Sequence, residues 1–177
     1  MLELLMAMVL LNVGILALVA SLQSGTVALR RAGKISTASV LADTQMELYR
    51  GLKYCSIAFD SGEWTNAKAD ANYTADSAYP GASATVASSC TSPGTARIPP
   101  LVTCATPIAS HPECRPIQNI TGPDQHRYRV DTYLVYDSTT TPASRSFVKV
   151  TVVARDADAL TGSLARETST FDQSTGQ

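Results

Sequence analysis

Few residues in this 177-residue chain are placed to do chemistry. The first is Glu3, an acid inside the run MLELLMAMVLLNVGILALVA. A carboxylate among apolar side chains in lipid costs free energy unless a cation answers it. Its chemistry is therefore charge pairing, and the question is where the partner lies. The second group is Cys55, Cys90, Cys104 and Cys114, all outside that run. An even count behind a membrane-directing start favours two disulfides in an oxidising compartment over buried free thiols. Their spacings of 35, 14 and 10 contain no CxxC pair, and His111 and His126 complete no ligand pattern. A zinc site is therefore not expected. Cys104–Cys114 is adopted as the local bond and Cys55–Cys90 as the longer one. Four cysteines allow three pairings, and sequence alone does not choose among them.

No catalytic set emerges. His126 lies near Asp124, but there is no GxSxG elbow, no metal-ligand spacing and no glycine-rich phosphate loop. His126 is read as an exposed polar residue at a strand start. Asp156 and Asp158 share a turn, yet two carboxylates fall short of the six to eight oxygens that calcium takes. The chain is thus expected to be no enzyme, with no metal and no cofactor. With 14 basic and 15 acidic residues it lacks the basic excess of a nucleic-acid binder. Asn72-Tyr73-Thr74 and Asn119-Ile120-Thr121 match the N-glycosylation sequon, a pattern that often arises by chance.

The elements that carry these residues follow from periodicity. From Leu4 to Ala20 only Asn12 is clearly polar, and the length is just enough to span a bilayer. A secretory signal would carry basic residues before this run, and Glu3 has the opposite sign. The helical pattern then continues. Ala28, Ala32, Ile35, Ala38, Ala42, Met46 and Tyr49 recur at steps of three and four, and no proline occurs before Pro80. The expected element is one helix of about 53 residues, roughly 80 Å long. Its half at 1–25 is apolar all round, and its half at 26–53 is apolar on the face that packs on the rest of the protein.

Residues 54–126 are rich in Pro, Ser, Thr and Ala and show no sustained period, which reads as a long irregular loop. A loop of that length needs pinning, and each disulfide could supply about 3 kcal/mol in the chain-entropy model. From residue 127 the period becomes two. RYRVDTYLVY and SFVKVTVVAR read as strands with one buried face, joined by an exposed loop over 137–145, and SLARETSTF as a third, weaker strand. The antiparallel sheet of three or four strands at 127–171 is followed by a tail at 172–177. Such a sheet needs a cover, and the helix supplies it. The fold class expected is α+β.

The stretch LELLMAMVLLNVGILAL resembles the start of mature type IV pilins and the related type II secretion pseudopilins, in particular their PilV-like branch. The strong likeness covers about the first 25 residues, and the plan of long helix, loop and antiparallel sheet extends it over the chain. Those mature chains begin Phe-Thr-Leu-Ile-Glu-Leu-Leu, after a dedicated prepilin peptidase cuts behind a glycine and methylates the new N-terminus. The acid is fifth there and third here. Its partner amine would be that of Met1, or of a residue preceding it.

The resemblance implies a structural subunit that resides in the inner membrane and then polymerises, through pilus assembly machinery, into an extracellular homo-oligomeric filament. Glu3 would pair with the N-terminal amine of a neighbouring copy. The helix would unwind in the filament between about 14 and 25, where Gly14, Ser21, Ser24 and Gly25 are weak helix residues. Residues 54–126 would correspond to the family's variable loop. A minor pilin or pseudopilin that primes or tips a filament is the alternative, followed by a membrane-anchored surface binding module.

Overall fold

The computed structural model describes residues 2–52, 54–84, 111–137 and 147–172. It is α+β. Helix α1 (Leu2–Arg50) is followed by a 3-10 turn at Tyr54–Ser56 and the short helices α2 (Ser61–Ala69) and α3 (Ala71–Thr74). A second 3-10 turn at Pro112–Cys114 leads into strands β1 (Ile117–Thr121), β2 (Arg127–Asp137), β3 (Phe147–Asp156) and β4 (Ala165–Asp172). The strands form one antiparallel sheet in the order β1-β2-β3-β4, so each pairs with its neighbour in sequence. The chain divides into two compact units, a helical unit at 1–36 and a sheet unit at 37–177.

Helix α1 closes three residues earlier than its periodicity indicated. Gly51 N–H still donates to Glu47 C=O at 3.0 Å, but Leu52 N–H donates to Tyr49 C=O at 3.1 Å, the tighter turn that ends helices. Arg50 in the last turn complements the negative end of the helix dipole.

Within the sheet unit, Ala38, Ala42, Met46 and Tyr49 of α1 pack with Tyr128, Val130, Leu134, Val148, Val150, Val152 and Ala154. These are alternate residues of β2 and β3, the face that period two assigned to the core. Burying side chains such as Met46 and Tyr49 completely stabilises by about 1.5–3 kcal/mol each. The buried stripe of α1 starts at Ala38; Val27 and Leu29 remain 65% and 74% exposed.

The opposite face of the sheet corrects the expectation of one buried side. Ala67 and Tyr73 from α2 and α3 pack there on Tyr133 and Val153. Tyr73 and Tyr133 stack with ring centroids 4.4 Å apart, the Tyr73 hydroxyl donates to Thr132 C=O at 2.6 Å, and the Tyr133 hydroxyl donates to Tyr73 C=O at 3.1 Å. The described parts of 54–126 are thus ordered elements and not an irregular loop. Asp60 and Asp70 explain why. Each is an N-cap whose carboxylate accepts from two backbone N–H groups, those of Gly62 and Glu63 and those of Asn72 and Tyr73. The 137–145 hairpin loop and the tail lie outside the described residues, apart from Asp137 at the end of β2 and Asp172 at the end of β4.

The β1–β2 turn has no room for a larger residue at Gly122. An added Cβ would sit 2.6 Å from Asp124 Oδ1, 2.8 Å from Tyr128 Cε2 and 2.9 Å from Thr37 Cγ2. Gly122→Ala is expected to destabilise the sheet unit by about 1–3 kcal/mol through overpacking. A urea midpoint equal to the parent's would refute this.

Burial also sets an alkaline limit. It pushes the Tyr54 and Tyr128 phenols up to about 12, and raises those of Tyr49, Tyr73 and Tyr133 as well. A phenol with a raised folded pKa contributes stability below its unfolded value of about 10, and that contribution is lost as pH rises toward the folded value. These phenols are expected to ionise only as the sheet unit unfolds. Phenolate absorbance and near-UV circular dichroism should therefore change together above pH 10. Early, complete phenolate formation with tertiary signal intact would contradict it.

Candidate functional site

The helical unit displays its apolar side chains to solvent on every side. Seven of the eight residues from Leu4 to Leu11 are large and apolar, and their exposures run from 59% to 72%. At 100° per residue such a run covers the whole circumference of the helix. An 18-residue window reaches a mean hydropathy of 2.5 with none of it buried, so α1 is long and apolar enough to cross a membrane. Glu3 stands exposed in the first turn, and it is the sole charged residue before Arg30. Met1, its expected amine partner, lies outside the described residues.

Gly14, Ser21, Ser24 and Gly25 are helical in the single chain. The unwinding expected of them concerns an assembled filament. A Cβ at Gly14 or Gly25 would meet nothing within 4 Å, so no contact within this chain requires glycine there. Both weaken the helix relative to alanine by about 1 kcal/mol. Next to them the Thr26 hydroxyl donates to Gln23 C=O at 2.9 Å, a back-bond that favours bending.

Of the cysteines, Cys114 is disulfide-bonded and buried. The pairing expected among Cys55, Cys90, Cys104 and Cys114 lies outside the described residues. The turn holding Cys114 is anchored to α1: the Tyr49 hydroxyl donates to Glu113 C=O at 2.9 Å and Gln45 Nε2 to Pro112 C=O at 3.2 Å. Gln118 Nε2 reaches the same Pro112 carbonyl at 2.7 Å.

The second face of the sheet holds a chain of alternating charges. Arg129 Nη1 donates to Asp70 Oδ2 at 2.8 Å, and its Nε donates to Asp131 Oδ1 at 2.7 Å. Asp131 Oδ2 accepts from Arg155 Nε at 3.1 Å. Arg155 Nη2 donates to Asp76, which also receives Arg166 Nη2 at 2.8 and 2.9 Å. Asp131 is fully buried, and Arg129, Arg155 and Asp76 nearly so.

The register explains the arrangement. Arg129 lies directly opposite Arg155, a repulsive cross-strand pair, and Asp131 bonds both. Burial pushes the Asp131 carboxyl above the usual carboxylate range, against the pull of the two arginines. For Asp70 and Asp76 burial also acts upward, but it is outweighed. Hydrogen bonds from Arg129 and Tyr73 N–H take Asp70 below the usual range, and those from Ala78 N–H and Arg166 do the same for Asp76. Sequence alternation placed Arg129 and Asp131 on a solvent face. Arginine and aspartate two apart on β2, with further arginines at Arg155 on β3 and Arg166 on β4, was the available signal.

His126 is partly buried rather than exposed, with 21% of its side chain accessible. Its expected neighbour Asp124 serves the turn: it accepts from His126 N–H at 3.2 Å and from the Tyr128 hydroxyl at 2.5 Å. No family model, curated protein or solved structure matches the chain.

Proposed function

We propose that this protein is a type IV pilin-like structural subunit, held in the inner membrane by the apolar half of α1 and then polymerised into an extracellular filament. One observation carries the reading. The first half of α1 presents uncovered apolar surface around its whole circumference, with a single acid near its start. Such a surface requires lipid or other copies of itself.

Assembly would trade lipid contacts for packing against identical helices, with the sheet units outside. Glu3 would pair with the N-terminal amine of a neighbouring copy and fix axial register, because a buried charge left without its partner costs several kcal/mol. The small residues from Gly14 to Gly25 would let the helix unwind in the packed state. The role is structural, with the prepilin peptidase and the pilus assembly machinery as its processing partners.

Electron microscopy of the purified native assembly tests this. Filaments built on a core of α1 helices are the expected result. A chain found only as a membrane-anchored monomer would overturn the reading. Scarcity in sheared filaments would instead assign the chain the minor role of priming or tipping them.

A further inference from the structure

The meander places the β1–β2 turn and the β3–β4 turn at the same end of the sheet, and they are bonded to each other: Ala157 N–H donates to Arg127 C=O at 3.0 Å. From the first turn comes His126, and from the second come Asp156 and Asp158. One ligand atom from each lies within 4.8 Å of the others. His126 Nε2 is shut off from solvent and makes no hydrogen bond of acceptable geometry, although Asp156 Oδ1 is only 2.9 Å away. With the ring protonated this contact is an ion pair; with the ring neutral, the same nitrogen and oxygen are close enough to serve as two ligands of one ion. With both at about 2.1 Å from an ion there, the angle between them would be about 90°, below the tetrahedral angle of closed zinc sites and that of adjacent ligands on a six-coordinate centre.

The surroundings hold these groups in place. Asp158 N–H donates to Asp156 Oδ1 at 3.0 Å, which orients that carboxylate. The His126 ring meets Tyr128 edge-on with centroids 5.1 Å apart, and the Tyr128 hydroxyl is in turn fixed by Asp124. Hard cations such as calcium take six to eight oxygens, whereas imidazole with carboxylates suits zinc and the neighbouring first-row divalent ions.

We infer that His126, Asp156 and Asp158 form a binding site for a divalent first-row transition cation, which ties the two turns together and leaves coordination positions open to water. The inference does not depend on filament formation.

The test is calorimetric titration of the full chain in detergent with Zn2+ alone, repeated with Co2+ while visible absorption is followed. One-to-one binding is expected, with a rise in the Tm of the sheet unit, as for any ligand that binds only the folded state. His126→Ala and Asp158→Asn should each weaken binding by more than the roughly 10–100-fold that loss of a supporting group costs. Asp158 is exposed, so its variant has no core to disturb. His111→Ala, at the only other histidine, should leave binding unchanged. No saturable binding, binding indifferent to both His126→Ala and Asp158→Asn, or loss of binding in His111→Ala would each overturn the assignment.

Discussion

Asp131→Ala is expected to bring the sheet unit to the edge of unfolding at room temperature. The reason is what it leaves behind. Asp131 is fully buried and answers both Arg129 and Arg155, which lie opposite each other across β2 and β3. Without it two nearly buried guanidinium groups face each other with no anion between them. Removing one partner from a buried ionic cluster costs about 3–5 kcal/mol, which approaches the whole net stability of a marginal domain, about 5–15 kcal/mol.

Two companions separate this cause from loss of packing. Arg166→Ala removes a side chain that is 36% exposed and leaves Asp76 paired with Arg155. It should cost no more than about 1 kcal/mol, as exposed pairs do. Replacing Arg129, Asp131 and Arg155 together by apolar residues of similar volume should recover part of the loss, because the two buried guanidinium groups go with their anion, Asp76 keeps Arg166, and Asp70 is 30% exposed. Urea midpoints of the three variants decide the matter. A loss under about 1 kcal/mol in Asp131→Ala would show that the network is not needed for stability.

Glu3→Gln is expected to abolish or sharply reduce filament formation while leaving the melting of the sheet unit unchanged. Glutamine keeps the shape and hydrogen-bonding ability of glutamate but not its charge, so it isolates the pairing proposed with a neighbour's amine. Every 1.4 kcal/mol lost per docking step is a factor of ten in its equilibrium constant. The yield of sheared filament should therefore fall by at least about tenfold. Glu3→Ala should behave the same way. Normal filament yield from Glu3→Gln would sink the pairing and leave apolar packing alone as the force of assembly.

Periodicity made one half of the architecture legible. The helix with its apolar start, the three long strands and the core face Val130, Leu134, Val148, Val150 and Val152 all follow from steps of 3.6 and 2. What it missed lies on the other face of the sheet. Alternation reports the polarity of a side chain, and Arg129, Asp131 and Arg155 are polar but buried, because each charge has a partner far away in sequence. The elements that cover them were also hidden. α2 and α3 are too short to show a period and depend on single aspartate caps, while β1 is a five-residue edge strand in polar sequence. His126 was read as exposed because the turn that brings Asp156 and Asp158 beside it is set by sheet topology, which no local window contains.

The simple strand order has a consequence for how the chain is made. The apolar stripe of α1 from Ala38 to Tyr49 shares its core with Tyr54, Ile57 and Phe59 just downstream, but also with residues of strands β2 and β3, which come late in the sequence. On a ribosome adding about 5–20 residues per second, the interval between completing Arg50 and completing β4 is on the order of 10 s. Throughout that interval the strand partners of the stripe are missing. The nascent chain must be shielded by something else until the last hairpins close. Those hairpins then need no rearrangement, because each new strand emerges next to the one it pairs with. A ribosome stalled before Phe147 would release a chain with an amphipathic helix, two strands and no finished core, the kind of product that quality-control proteases clear.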